Sequence, residues 1–179
     1  MFLDTKYYTS IPIFVLFVLS FGISNAEQAP NIIGEYNNWT ALTYKERGKV
    51  VCFMSPAPRN SPKKWVSKPK NVRRGKIYLL VTHRPAHGTR DEVSVHVGYP
   101  LKKDSEVVAD IDGRKFRMFT DNNTAWARDA KPDRAIAQAM RGGTILTIKG
   151  ISSRGTKTTD TYSLSGFTAA HNDINGACR

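Results

Sequence analysis

The sequence contains 179 residues, carries a formal net charge of +12 at pH 7 and includes two cysteines. A chain of this length can bury one hydrophobic core, but it is too short for two comfortable domains. The cysteines are not spaced as C-x-x-C, so a thioredoxin-like redox motif is excluded.

The first 26 residues have the pattern of a secretory signal peptide. Lys6 supplies a positive charge, Ile11–Ile23 is apolar, and Ala26 ends a short stretch of small residues suited to cleavage. The apolar stretch of 13 residues is shorter than the roughly 20 needed to span a bilayer as a helix. We therefore predict a signal peptide at 1–26 and one domain at 27–179.

The two cysteines, Cys52 and Cys178, both follow the predicted cleavage site. An oxidising compartment outside the cytoplasm favours pairing them. The bond would tie an early strand to the C-terminus, and closing so long a loop is worth about 4–5 kcal/mol in the loop-entropy model. A structural disulfide is the prediction.

After a loose lead at 27–38, the chain is predicted to form mainly short strands. In 92–99, apolar residues alternate with polar or small ones, which is typical of a half-buried strand. Asp112 and Gly113 give a strong hairpin signal between two further strands. The predicted strands cover 39–44, 49–55, 77–82, 92–99, 106–111, 114–120, 123–127, 144–149 and 158–164.

Two short helices are predicted. The first, at 132–141, starts with a proline that a first turn tolerates and stops before Gly142 and Gly143. The second, Phe167–Ala177, has its apolar residues and His171 on one stripe, and Ser165 is a candidate cap. Strands in this number with two small helices favour an all-β, antiparallel β-sandwich, and a mixed α+β sheet is the alternative.

The stretch KGISSRGTKTTD at 149–160 resembles a phosphate-binding loop. That loop requires a lysine directly after its second glycine, where this chain has Thr156, and Lys157 follows one residue late. The residues after it favour a strand, so no helix N-terminus would face the phosphate. A nucleotide site is therefore excluded, and no cofactor is predicted.

Catalytic and metal sites are not predicted either. The sequence G-I-S-S-R at 150–154 lacks the second glycine of a G-x-S-x-G nucleophile turn. His83 and His87 are four apart, but Pro85 and Gly88 prevent the helix that would align them. We interpret these two histidines as loop residues at a strand end and His171 as a partly buried packing residue.

The segment 59–76 is strongly basic. It contains no acidic residue, its prolines disfavour a helix, and Trp65 offers an aromatic anchor. Such a segment attracts polyanions, including sulfated or sialylated glycans, lipopolysaccharide phosphates and anionic lipids. The candidate polyanion-binding residues are Arg59, Lys63, Lys64, Trp65, Lys68, Lys70, Arg73, Arg74 and Lys76. We expect no nucleic-acid partner, while peripheral association with an anionic membrane is compatible with this segment.

Several stretches together resemble the invasion-associated locus B family of exported alphaproteobacterial proteins. They are RRGKIYLLVTHRP at 73–85, DEVSVHVGYP at 91–100, DNNTAWARDA at 121–130 and KGISSRGTKTTDTYSLSGFTAA at 149–170. The resemblance runs from Trp39 to Cys178, and the family pattern includes two cysteines where this chain has Cys52 and Cys178. It implies an immunoglobulin-like sandwich in the periplasm or at the outer membrane and cell surface, with no known enzymatic activity.

The resemblance leaves two roles open. In the first, the protein is a virulence factor that assists attachment to or entry into host cells, erythrocytes in founding members of the family, through its basic surface. In the second, it is a periplasmic envelope component that binds lipopolysaccharide, peptidoglycan or another envelope protein without touching the host. An unrecognised hydrolase is a third, weaker alternative.

The 149–160 stretch then becomes the signature hairpin of the family. Gly150 and Gly155 are predicted to be turn glycines between two strands, and Ser152 and Ser153 offer hydroxyls around the bend. Arg154 would serve a structural role, pairing with Asp160, or would bind an external anion. By the period of two, Thr158, Asp160, Tyr162 and Leu164 share one face of the second strand.

Overall fold

Ten strands and two helices make up the described part of the chain, which is residues 29–56 and 74–179 of the computed structural model. The strands are β1 Asn31–Tyr36, β2 Trp39–Glu46, β3 Lys49–Pro56, β4 Tyr78–Arg84, β5 Thr89–His96, β6 Val107–Ile111, β7 Arg114–Asp121, β8 Thr124–Trp126, β9 Ile145–Ile151 and β10 Lys157–Ser163. The helices are α1 Ala130–Gly142 and α2 Phe167–Ala177, and a single 3-10 turn spans Pro85–His87. The predicted signal peptide lies outside the described residues.

The strands follow one another in the order β1-β2-β3-β4-β5-β8-β7-β6-β9-β10, and every pairing is antiparallel. Strand β7 belongs to both halves of the sandwich, because 114–118 pair with β6 and 119–121 pair with β8. The predicted antiparallel, immunoglobulin-like β-sandwich is confirmed. The Asp112–Gly113 turn joins β6 to β7 with φ of 47° and 93°, the positive values that a tight hairpin requires.

The core lies between the two halves of the sandwich and is completed by the helices. Trp39 at the start of β2 packs edge to face on Phe167 of α2, with ring centroids 4.9 Å apart. The Trp39 indole Nε1 also donates to the Ser163 carbonyl of β10 at 2.9 Å. This tryptophan therefore connects β2 with α2 and with β10, which lies at the far end of the strand order.

Helix α1 differs from the prediction in where it starts, and helix α2 differs in its cap. Helix α1 starts two residues earlier, because the Asp129 side chain caps it by accepting from the Lys131 N–H at 2.9 Å. Helix α2 has the predicted bounds, but Ser165 does not cap it. The Ser165 hydroxyl instead accepts from the Asn37 side chain at 3.0 Å, and Gly166 occupies the cap position.

Strand β1 replaces most of the predicted loose lead. Its residues do not alternate in burial, and its pairing with β2 is irregular between Ile32 and Gly34, so the sequence shows no period of two. Tertiary contacts hold it instead. The Tyr36 hydroxyl donates to Asp173 of α2 at 2.6 Å, which fixes β1 against the helix.

Candidate functional site

The signature hairpin consists of β9, β10 and the turn between them. Gly155 lies in that turn at φ 82°, as predicted, but Gly150 is a strand residue paired with Thr158. A Cβ at position 150 would lie 3.1 Å from the Tyr99 hydroxyl, so glycine is needed for close packing, not for the turn. The Ser152 hydroxyl accepts from the Thr156 N–H at 3.1 Å, which closes the bend, while Ser153 is exposed.

A buried ion pair joins this hairpin to Arg74, which belongs to the basic segment 59–76. Arg74 donates from Nη1 and Nη2 to the two carboxylate oxygens of Asp160, both at 2.6 Å, and both side chains are 1% exposed. The same guanidinium donates to the Val97 carbonyl at 2.7 and 3.0 Å and lies 5.0 Å over the Tyr99 ring. All three guanidinium nitrogens of Arg74 therefore donate hydrogen bonds within the chain.

This pair corrects two predictions. Arg74 was a candidate polyanion-binding residue, but its guanidinium is committed to Asp160 and Val97 and cannot serve an external anion. Asp160 was a candidate partner for Arg154, but Arg74 occupies both of its oxygens. Arg154 is exposed at the turn, and within 29–56 and 74–179 no ion pair involves it.

Seven of the nine predicted polyanion-binding residues lie in the part of the chain that the structure does not describe. They are Arg59, Lys63, Lys64, Trp65, Lys68, Lys70 and Arg73. Lys76 is exposed just beyond the Arg74 anchor.

A second group of cations lies on the outer face of β7, β6, β9 and β10. Lys115, Arg117, Lys149 and Lys157 are exposed and alternate with core residues along their strands. Arg117 pairs with Glu106 at 2.6 Å, and Lys149 lies 3.4 Å from Asp110. Among described residues, Lys115 and Lys157 have no such partner. We call these four cations the basic sheet face.

The predicted disulfide forms between Cys52 of β3 and Cys178, with the two Cα atoms 6.0 Å apart. Both cysteines are buried. Arg90 donates to the Cys178 carbonyl at 2.7 Å, so the chain end is held covalently and by a hydrogen bond. The bond is a structural clamp for α2.

A cluster of two histidines and one aspartate lies beside the disulfide. His83, interpreted from sequence as a loop residue, is fully buried in β4, whereas His87 is exposed in the 3-10 turn. His171 of α2 is 5% exposed, and its Nε2 lies 2.7 Å from the Asp91 carboxylate. Asp91 has φ 58°, in the left-handed region that aspartate tolerates better than most non-glycine residues, and its carboxylate lies 2.7 Å from His171 and 3.9 Å from His83. Sequence spacing missed this cluster because α2 supplies one member.

Each histidine ring has its tautomer fixed by hydrogen bonds. The Nδ1 of His83 accepts from the Asp91 backbone N–H at 2.9 Å. The Nδ1 of His171 receives Arg141 Nη1 at 2.8 Å and Asn175 Nδ2 at 3.1 Å. A neutral ring with an acceptor Nδ1 carries its proton on Nε2.

Those tautomers conflict with metal binding, although the three ligand atoms lie within 4.8 Å of one another. A metal on Nε2 would move the proton of a neutral ring to Nδ1, where it would meet the N–H donors. We therefore interpret the cluster as a hydrogen-bonded network. Burial lowers the pKa of His83. Burial alone would raise the pKa of Asp91, but the hydrogen bond from His171 and the charge of Arg90 hold it below the usual value.

A cleft of about 360 Å³ opens where α1 meets β5 and β8. Asp133 lines it, although its residue is only 8% exposed, and its Oδ1 accepts from the Val93 N–H at 2.8 Å. Burial, reinforced by the charges of Glu92, Asp91 and Asp129, raises the pKa of Asp133 to about 6 against the opposing Val93 hydrogen bond. No pattern along the chain indicates a buried carboxyl here, since acids in first helical turns are usually exposed and stabilising.

Among described residues, no helix is long and apolar enough to cross a membrane.

The chain was compared with known proteins. The family model described as "Invasion associated locus B (IalB) protein" matches residues 39–175. None of the curated proteins matches. The crystal structure of invasion associated protein B from Bartonella henselae matches with a TM-score of 0.55 at 15% identity, covering 80% of this chain and 96% of that one. At that identity the likeness shows the fold, and neither description names an enzymatic activity. On the family match, this chain belongs to the invasion-associated locus B family.

Proposed function

We propose that the protein is an exported, non-enzymatic envelope protein that assists bacterial attachment to or entry into host cells through a basic surface. Family membership over 39–175 carries the proposal. The leader-like sequence at 1–26 and the disulfide are consistent with export to an oxidising compartment.

The basic surface supports a polyanionic partner. The segment 59–76 contributes seven cations besides the buried Arg74 and no acidic residue. Within this segment, Arg74 is held by its buried pair with Asp160, while Lys76 is exposed. Lys115 and Lys157 of the basic sheet face add unpaired charge. Sulfated or sialylated chains on a host cell are polyanions of the kind that such charge attracts.

The charge contribution is tested by retention on heparin. A variant carrying K63A, K64A and R73A is expected to elute at lower salt, because screened electrostatic attraction falls with each lost cation. A matched control with K131A, R134A and R179A loses the same formal charge from other exposed positions and is expected to elute close to the unmodified protein. Equal shifts in both variants would mean that only net charge matters and would contradict a dedicated basic surface.

The same surface would suit the phosphates of lipopolysaccharide, which keeps the periplasmic alternative open as a second candidate. Protease treatment of intact cells separates the two, because a protein that cannot be reached from outside cannot contact a host glycan. Deletion with complementation, scored for host-cell entry and for envelope integrity, completes the test. Loss of entry with an intact envelope supports the direct role, and envelope damage without protease access supports the periplasmic one.

A further inference from the structure

An aromatic pair lies at the cleft beside α1. Phe119 of β7 and Trp126 of β8 are directly opposite in the antiparallel ladder, so their side chains are on one face at neighbouring positions. Phe119 is 37% exposed, so its ring is accessible to a ligand from solvent. Both rings line the cleft that contains Asp133.

The concave surface continues past Phe119. A second depression of about 450 Å³ shares Phe119 and Arg128 with the first and is lined by polar residues, including Ser105 and Thr120. The two depressions adjoin at these shared residues and form one groove. We call it the aromatic groove, defined by Phe119, Thr120, Trp126, Arg128 and Asp133.

The charges along the aromatic groove are largely neutralised within the chain. Glu92 is hydrogen-bonded to Arg84, Glu106 to Arg117, and Asp129 caps α1. The lining also includes Arg90 and Arg128 as well as the acids Asp104, Asp129 and Asp133, so the groove has charges of both signs. It offers neither the strong positive field that a polyanion needs nor the strong negative field that a polycation needs. This contrasts with the net charge of +12 of the chain.

One polar group in the groove remains available. Asp133 uses Oδ1 for the Val93 N–H, and its Oδ2 makes no hydrogen bond to any residue in the described ranges. A carboxyl that is buried in protein yet lines an open cleft is a polar group that a ligand hydroxyl can satisfy.

We propose that the aromatic groove binds an uncharged oligosaccharide, with a sugar ring packed on Phe119 and Trp126 and a hydroxyl donating to Asp133. The apolar C–H face of a sugar suits an aromatic ring, and its hydroxyls suit scattered polar groups. This site adjoins the basic sheet face, since Glu106 of the groove pairs with Arg117, but it does not depend on the proposed host-cell role.

The experiment uses the exported, purified protein and an immobilised panel of uncharged oligosaccharides of glucose, galactose, mannose, N-acetylglucosamine and N-acetylgalactosamine. A heparin tetrasaccharide and a lysine-rich peptide are included as charged probes. At least one uncharged oligosaccharide is expected to bind, with a Kd that high salt leaves unchanged. F119A and D133N are each expected to raise that Kd by about tenfold or more.

Y78A is the matched control, because Tyr78 is 42% exposed on β4 and does not line the groove. Circular dichroism and unfolding midpoints establish that each variant is folded, and D133N retains an acceptor for Val93 if F119A is unstable. Three results would overturn the proposal: no uncharged member of the panel binds, F119A and D133N bind as well as Y78A, or only the lysine-rich peptide depends on Phe119.

Discussion

Arg74 and Asp160 are 86 residues apart in sequence and meet in a two-bond ion pair with both side chains 1% exposed. Arg74 belongs to the basic segment 59–76, and Asp160 lies in β10 of the hairpin that carries the family resemblance. The hairpin therefore holds one residue of the basic segment, Arg74, in a buried ion pair.

The substitution D160N is expected to lower the free energy of unfolding by about 3–5 kcal/mol, because it leaves the Arg74 guanidinium buried without a countercharge. Urea unfolding near neutral pH measures the loss. R154A is the matched control, since Arg154 is exposed, and its effect is expected to stay within about 0.5 kcal/mol.

The double variant R74M/D160L extends this test. Replacing both partners with apolar side chains removes the buried charge as well as the pair, so stability is expected to recover part of the loss. A D160N protein as stable as R154A would contradict the structural role of the pair.

Removing the disulfide with C52A/C178A is expected to lower the free energy of unfolding by about 2–5 kcal/mol, because the bond closes most of the domain into one loop. Dithiothreitol should lower the urea midpoint of the unmodified protein and leave that of the variant unchanged. A variant as stable as the oxidised protein would show that α2 needs no covalent clamp.

Asp133 should make stability depend on pH. Its folded-state pKa of about 6 is higher than its ordinary value, so folding favours the protonated acid. The associated stability is complete below about pH 4 and is lost as pH rises through 6, with a total of about 3 kcal/mol.

D133N has no such titration and still offers an oxygen to the Val93 N–H. Its free energy of unfolding relative to the unmodified protein should therefore rise by about 3 kcal/mol from below about pH 4 to above pH 6. D121N at an exposed position is the control. A constant difference between D133N and the unmodified protein across this range would exclude a raised pKa.

His83 should make stability depend on pH in the opposite sense to Asp133. Because burial holds its pKa below the unfolded value of about 6.5, its contribution is complete above that pH and is lost as pH falls. H83N, which retains an acceptor for the Asp91 N–H, should show a shallower loss of stability on acidification than the unmodified protein. H87N, at an exposed histidine, should retain the full loss, and equal slopes for H83N and H87N would contradict the assignment.

The histidine tautomers predict the response to metal. Added Zn²⁺ should leave the melting temperature unchanged, because a ligand raises it only by binding the folded state. The hydrogen bonds on both Nδ1 atoms oppose that binding. A Zn²⁺-dependent rise that disappears in H171Q would show that the network rearranges into a metal site.

The strand patterns were predictable because alternation is a local property. Thr158, Asp160 and Tyr162 are buried on one face of β10, as the period of two predicts, and the Asp112–Gly113 hairpin forms where its turn residues indicate. Strand β1 was not predictable, since it has no alternation and depends on β2 and on Asp173 of α2.

By itself, the sequence determined the family, the antiparallel sandwich and the pairing of Cys52 with Cys178. These follow from residue order, local periodicity and the count of two cysteines. Only the tertiary structure decided that Asp160 pairs with Arg74 and not with Arg154, that His83 is buried beside His171, and that Asp133 lines a groove with Phe119. Partners and burial at these positions depend on which distant elements pack together, and no spacing along the chain encodes that.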